Sequence, residues 1–314
     1  MWALWCRNRP RCQRDGALRL TSRRFILASA AAAFALSACG RKGAAGDKAA
    51  DQPKAASKVG SLAWAVAGDW RPAQDRARDR WRHPIQTLTF WGLKPGMTVV
   101  EFWPGAGWYT DILGPYLTQN RGTLYAAGLE AGAQDPSLSE VEEQFASKIK
   151  SSPQLYHAVK ITSFGPRSGP VAPDGKADLV LFLRNVHNWM SAGIAEKAFA
   201  SAYAALKPGG VLGVEEHRAK PDRVQDALAS DGYVQEAYVK QLAKEAGFVF
   251  EEASQINANP LDDTDHPFGV WTLPPVRRSS ARGQAPNPGF DHTPFDAIGE
   301  SDRMTLRFRK PLKP

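Results

Sequence analysis

The chain has 314 residues, 43% of them hydrophobic, and 40 lysines and arginines against 32 aspartates and glutamates give a formal net charge of +8. Seven of the arginines and one aspartate lie in residues 1–39, so the remaining 33 basic and 31 acidic residues leave only +2, which removes the charge argument for a nucleic-acid partner. The three cysteines, Cys6, Cys12 and Cys39, fall in the same segment, so the rest of the chain has no disulfide available and relies on a hydrophobic core, for which about 250 residues are ample.

Residues 1–38 read as a signal peptide. Seven arginines from Arg7 to Arg24 precede an uncharged run, Phe25 to Ala38, that is too short to span a bilayer but suits a signal-peptide core. Leu36-Ser37-Ala38-Cys39 resembles a bacterial lipobox, whose cysteine is lipidated and becomes the mature N-terminus; ordinary cleavage after a small residue is the alternative. Ser22-Arg23-Arg24-Phe25-Ile26-Leu27 resembles a twin-arginine export signal, with a general secretion signal as the alternative. Lipidation of Cys39 predicts a protein held on the periplasmic face of a bacterial membrane. Residues 39–60, rich in Ala, Gly, Lys, Asp and Gln without apolar periodicity, suit a flexible tether, and 61–314 reads as one folded domain.

The domain opens with a helical segment over about 62–90. Arg78 and Arg82 on it are one turn apart, placed either to face an anionic group or to form surface ion pairs. Val99-Val100-Glu101-Phe102 then reads as a buried strand ending at a carboxylate, and Trp103-Pro104-Gly105-Ala106-Gly107 turns into a helix marked by Ile112, Leu113, Tyr116 and Leu117. Glycines at 105 and 107 let the backbone turn sharply and lie against a ligand, although a tight turn without a ligand has the same signature. Strands are predicted near 98–103, 123–127, 159–164, 179–183, 211–215, 248–256 and 304–308, and helices near 109–117, 137–150, 192–206 and 233–246. The alternation predicts an α/β fold with a mainly parallel sheet covered on both faces and ligands beyond the carboxyl ends of its strands. A proline- and glycine-rich excursion at about 274–300 interrupts the last strand pair; connections of that length are functional or disordered.

Several of these segments, in this order, resemble the class I S-adenosylmethionine-dependent methyltransferases, and within them an exported group of "predicted methyltransferases". The resemblance runs from Arg78-Asp79-Arg80-Trp81-Arg82-His83-Pro84 and Gly92-Leu93-Lys94-Pro95-Gly96-Met97 through Glu101 to Thr110, then Asp178 to Trp189 and Leu206-Lys207-Pro208-Gly209-Gly210. It ends in Ala246-Gly247-Phe248, Asn259-Pro260-Leu261-Asp262-Asp263 and Arg307-Phe308-Arg309-Lys310-Pro311. It implies a Rossmann-like, mostly parallel seven-stranded sheet with an antiparallel last strand, and S-adenosyl-L-methionine as cofactor. Glu101, Gly105 and Gly107 would hold the cofactor, and Glu130 after the second strand would meet its ribose. Two departures stand out: Trp103 takes the place of an earlier glycine, and Glu130 comes two residues later than the family's acidic residue.

The fourth predicted strand delivers His187, Asn188 and Trp189 to the ligand end. His187 reads either as a general base toward a small-molecule acceptor or as a loop cap. Glu216 and His217 follow the fifth strand, and Asp262 and Asp263 the sixth, so all are expected to border one cleft with His187, beside Arg78 and Arg82. Their spacing is not a metal-ligand motif, and a hydrogen-bonded polar network is expected instead of a metal. Two functions remain open: a methyltransferase acting on a small molecule, or a lipid-anchored binding module that keeps the fold without the reaction.

Overall fold

Runs of buried, largely aliphatic residues alternate with amphipathic helices from residue 98 onward, and in the computed structural model, which describes residues 57–130, 132 and 136–312, they assemble into a twisted sheet. The signal peptide, Cys39 and most of the tether lie outside the described residues. Four short helices lead in: α1 (Leu62–Ala67), α2 (Ala73–Arg76), α3 (Asp79–Arg82) and α4 (Pro84–Phe90). Ser61 caps α1 by accepting from the Trp64 N–H, and Pro84 at the first position of α4 needs no N–H there.

The sheet region follows as β1 (Thr98–Phe102), α5 (Thr110–Gln119), β2 (Thr123–Leu129), α6 (Pro136–Ser151), α7 (Pro153–Tyr156), β3 (Val159–Phe164), β4 (Ala177–Leu183), α8 (Val186–Ser191), α9 (Ala195–Ala205) and β5 (Leu206–His217). The chain then forms α10 (Glu236–Glu245), β6 (Val249–Ser254), β7 (Pro267–Val270), α11 (Thr293–Ile298) and β8 (Arg303–Arg309). Seven strands pair in the order β3-β2-β1-β4-β5-β8-β6; β1 to β5 run parallel, and β8 is antiparallel to both β5 and β6. This is the Rossmann-like sheet expected from the resemblance, with its antiparallel last strand.

Side chains alternate across each strand, so one strand feeds two cores. Val100 and Phe102 of β1 pack with Phe182 and with Phe199 of α9, while Val99 faces Ile112 and Leu113 of α5 and Leu88 of α4. Helices thus cover both faces, and all parallel strand ends point their carboxyl termini to one edge.

Three local departures from the predicted elements have physical causes. The helix predicted at 192–206 forms as α9 but starts at Ala195, because Gly193 takes φ +67° and separates it from α8, a helix the sequence reading did not predict. The helix predicted at 233–246 starts at Glu236, since Val234 is first drawn into a bridge with Arg218. Within the excursion, Thr293-Pro294 opens α11, a proline-initiated turn that apolar periodicity does not reveal.

Candidate functional site

The β1 end keeps a glycine-like path without the glycine. Trp103 has φ +46°, in the left-handed region where a bulky side chain costs about 1–3 kcal/mol. Two bonds to the β2 and β3 ends hold it there: its N–H donates to Ala127 O at 2.8 Å and its indole N–H to Phe164 O at 2.9 Å. The ring packs edge-on to Trp189, 5.9 Å between centroids. Trp103 consequently borders three cavities at the strand ends. One of about 450 Å³ also touches Gly105, Leu129, Glu142 and Asn188. A second, about 460 Å³, lies between Glu130 and Phe164-Gly165-Pro166. A third, about 310 Å³, holds His187, His217, Arg78 and Arg82. All three fall in the range of small-molecule sites.

The expected cofactor residues divide between these cavities and the interior. Gly105, at φ +57°, has open space where a Cβ would be and faces the first cavity. Glu130 borders the second, where its carboxylate accepts from the Arg167 N–H at 3.0 Å. Glu101 and Gly107 border none of the three. Glu101 is 2% exposed and accepts from the Thr110 hydroxyl at 2.6 Å. Strand alternation explains this: Glu101 shares the Val99 face, beneath α5. Burial pushes its carboxyl up from the ordinary 4.5 to about 7, with Thr110 and Lys148 opposing. A Cβ on Gly107, at φ +88°, would meet Lys148 Nζ at 2.7 Å and the Phe145 ring at 2.9 Å. Gly107 therefore lets α6 dock, and Lys148 ties that helix down through Ala106 O at 2.7 Å and Asp111 at 2.8 Å.

Around His187 the two consecutive glutamates of β5 point in opposite directions. Glu216, fully buried, accepts from the N–H groups of Val186 at 2.6 Å, His187 at 3.3 Å and His217 at 2.8 Å. Its Oε1 lies 2.9 Å from His187 Nδ1. Glu216 therefore sits behind His187 instead of bordering the cleft, fixing the ring so that Nδ1 carries the proton and Nε2 is left as the free acceptor. Nε2 makes no hydrogen bond among the described residues, and the residue borders the third cavity. His217 borders it too, its ring 5.3 Å from that of His187 and its Nδ1 2.6 Å from Ser301 Oγ. Burial holds His217 well below the usual imidazole range, helped by His187, Arg184 and Arg303, so this ring is neutral.

Glu215 faces the other way, accepting from Arg184 Nη1 at 3.0 Å and from the Tyr109 hydroxyl at 3.2 Å, and pairing with Arg303 Nε at 3.2 Å. Arg184, like Trp103, holds a left-handed backbone, φ +58°. Arg78 and Arg82 do border the third cavity, and each also has an ion-pair partner: Nε of one and of the other reach the two oxygens of Glu300 at 2.6 and 2.9 Å. Asp79, their sequence neighbour, pairs instead with Arg71 at 2.7 Å.

The remaining candidates lie elsewhere. Asn188 borders both the first and third cavities, whereas Trp189 is fully buried among Phe102, Phe164 and Phe182, a core residue. Asp262 and Asp263 do not reach the cleft. Asp262 accepts from Tyr233, His266 Nε2 and the N–H groups of Thr264 and Asp302, and Asp263 is exposed. None of the partners of Asp262 lines the cavity at His187. Ligand atoms of His187, Glu216 and His217 lie within 4.8 Å of one another, as do those of Asp262, Asp263 and His266, and these are the places a cation could approach. In both clusters the buried carboxylate is already filled by N–H and O–H donors, the pattern of a hydrogen-bonded network.

Sequence reasoning passed over one wall. Trp271, Leu273 and Val276, with Glu300 and Ser301, close the third cavity. The only hint was the Pro274-Pro275 pair within an unusually long connection.

No family model matches the sequence, and no curated protein does. Among solved structures, a protein assigned as a sarcosine dimethylglycine methyltransferase from Galdieria sulphuraria is 13% identical, with a TM-score of 0.52 over 78% of this chain and 89% of its own. An S-adenosylmethionine-dependent methyltransferase from Aquifex aeolicus is 20% identical over 58% of this chain and 87% of its own, with a TM-score of 0.45. At such identities the likeness is one of architecture, and the chain has the Rossmann-like methyltransferase fold.

Proposed function

We propose that the chain is an enzyme that transfers a methyl group from S-adenosyl-L-methionine to a small-molecule acceptor. The observation that carries this reading is the His187–Glu216 pair, whose ring borders a cavity that shares Trp103, Asn185 and Asn188 with the cavity at Gly105. Two ligands lying on either side of that shared wall would meet there.

The strand-end residues fit a nucleoside-type donor in two respects. The open side of Gly105 lets a ligand approach the backbone, and Glu130 offers a carboxylate beside a cavity of sufficient volume. Glu101 and Gly107 would act from beneath, holding the loop. The sulfonium, when bound, supplies a methyl group already activated for transfer. The chain's own residues then hold the acceptor in line and keep water out, which is where such reactions gain most of their rate. His187, oriented through Nδ1, takes the acceptor proton on Nε2.

The reading includes export and anchorage through Cys39, and Cys39→Ala would release the protein from membranes if it holds. Trp103 favours a second reading, a binding module that has lost the reaction, because its ring stands where the family pattern has glycine. Calorimetry with S-adenosylmethionine decides between them. Saturable heat that disappears in Gly105→Val supports the enzyme, and no heat at millimolar donor leaves the binding module.

A further inference from the structure

The cavity beside His187 carries more positive charge than its own carboxylates balance. Arg78 and Arg82 reach it from the leading helices and Arg184 from the end of β4. Each is held at one edge by a buried glutamate: Arg78 Nε and Arg82 Nε by Glu300, Arg184 Nη1 by Glu215. Their other guanidinium nitrogens make no hydrogen bond among the described residues. Arg303 links the two carboxylates from behind, 2.7 Å to Glu300 and 3.2 Å to Glu215.

Four guanidinium groups are therefore answered by two carboxylates. Glu216 adds one negative charge on the far side of His187, and the neutral His217 adds none. One positive charge is left over, or two when His187 is protonated. A net positive charge left uncompensated in a largely buried cluster is costly, and an anion in the cavity relieves it. A guanidinium pinned at Nε keeps its outer edge in a fixed orientation, the geometry that receives a carboxylate or phosphate.

The opposite wall is apolar: Trp271, which packs 5.9 Å from the His187 ring, with Leu273, Val276 and Trp103. At about 310 Å³ the space takes a molecule of roughly ring size with one or two substituents. We propose that this cavity binds a small apolar or aromatic oxyanion, its carboxylate or phosphate seated on Arg78, Arg82 and Arg184 and its body against Trp271. The assignment of this molecule as the methyl acceptor, with its nucleophilic atom turned toward His187, rests on the function proposed above; the anion site itself does not.

Calorimetric titration of the full mature chain, without methyl donor, tests it with four probes: benzoate, phenyl phosphate, benzamide and benzylamine. Benzoate or phenyl phosphate should bind at least tenfold more tightly than benzamide, with benzylamine weakest, and the tighter of the two anions identifies the group. Arg78→Gln and Arg82→Gln should each weaken the anion tenfold or more, at an unfolding midpoint checked in parallel. Equal binding of benzoate, phenyl phosphate and benzamide by the unaltered protein overturns the proposal, and that comparison needs no variant to fold. Anion binding that survives in a folded Arg78→Gln overturns it as well. Because no donor is present, an anion that binds while S-adenosylmethionine does not leaves this site standing and removes the methyl-transfer reading, and the converse result does the reverse.

Discussion

The ends of β1 and β5 carry the same side chain in opposite circumstances. Glu101 is buried with one hydroxyl donor, and burial lifts it to about 7. Glu215 and Glu216 are buried more completely, yet they are better supplied: a guanidinium and a phenol donate to one, with a second guanidinium charge beside it, and three backbone N–H groups and an imidazole meet the other. Depth alone does not decide what a strand-end carboxyl can do. The donors around it do, and they make the β5 end the part of the sheet that positions charged side chains, while the β1 end supports a turn.

That contrast can be broken most severely at Glu215. Glu215→Ala would leave Arg184 buried without its carboxylate and Arg303 with Glu300 alone, and a loss of about 3–5 kcal/mol is expected in urea denaturation. A loss under 1 kcal/mol would mean the arginines find other partners.

Glu101 should make stability depend on pH. Its folded pKa lies above its unfolded one, so the stability it contributes is full below pH 4.5 and disappears as pH rises through about 7. The accumulated loss is about 3 kcal/mol. Glu101→Gln should match the unaltered protein near pH 4.5 and exceed it at pH 9, measured by denaturation at both. Identical pH slopes would show that Glu101 ionises freely.

At Glu216 the expected effect on stability is smaller. Glu216→Gln can still accept from one or two of the N–H groups, so about 1–3 kcal/mol is expected. The sharper readout is the rate of the proposed transfer, which should fall at least tenfold as His187 loses the partner that orients its ring; an unchanged rate would remove His187 from the proton path. Smallest are the two glycines. Gly107→Val drives a side chain into Phe145 and Lys148 and should cost about 1–3 kcal/mol, whereas Gly105→Val meets open space, pays mainly the strain of its backbone and acts on ligand binding. Equal loss of stability from both would erase the distinction.

Much of the frame was legible because its signals are local. Each predicted strand of the sheet forms, and β1, β3 and β4 lie within two residues of the predicted bounds; β1 and β4 carry apolar runs buried on both faces, and β3, at the sheet edge, keeps a β-branched run. The site was legible only in part. That His187 would reach a strand-end cavity followed from its position after β4. The depth of Glu101 was also written in the strand, through its alternation with Val99, but the turn beside it drew attention to ligands instead. The clamp of Glu300 on Arg78 and Arg82 joins residues 222 and 218 positions apart, and the wall from Val270 to Val276 likewise meets His187 from far along the chain. No window along the chain contains both partners, so no local pattern reports them.

Trp103, shared by three cavities and pinned to the ends of β2 and β3, has a thermodynamic consequence. A ligand in the space at Gly105 and one in the space at His187 would both touch this ring. Should either move it, their affinities are linked, and by reciprocity the factor by which the first alters the second equals the factor by which the second alters the first. A ring in place of bare backbone would then give each ligand a way of registering the other.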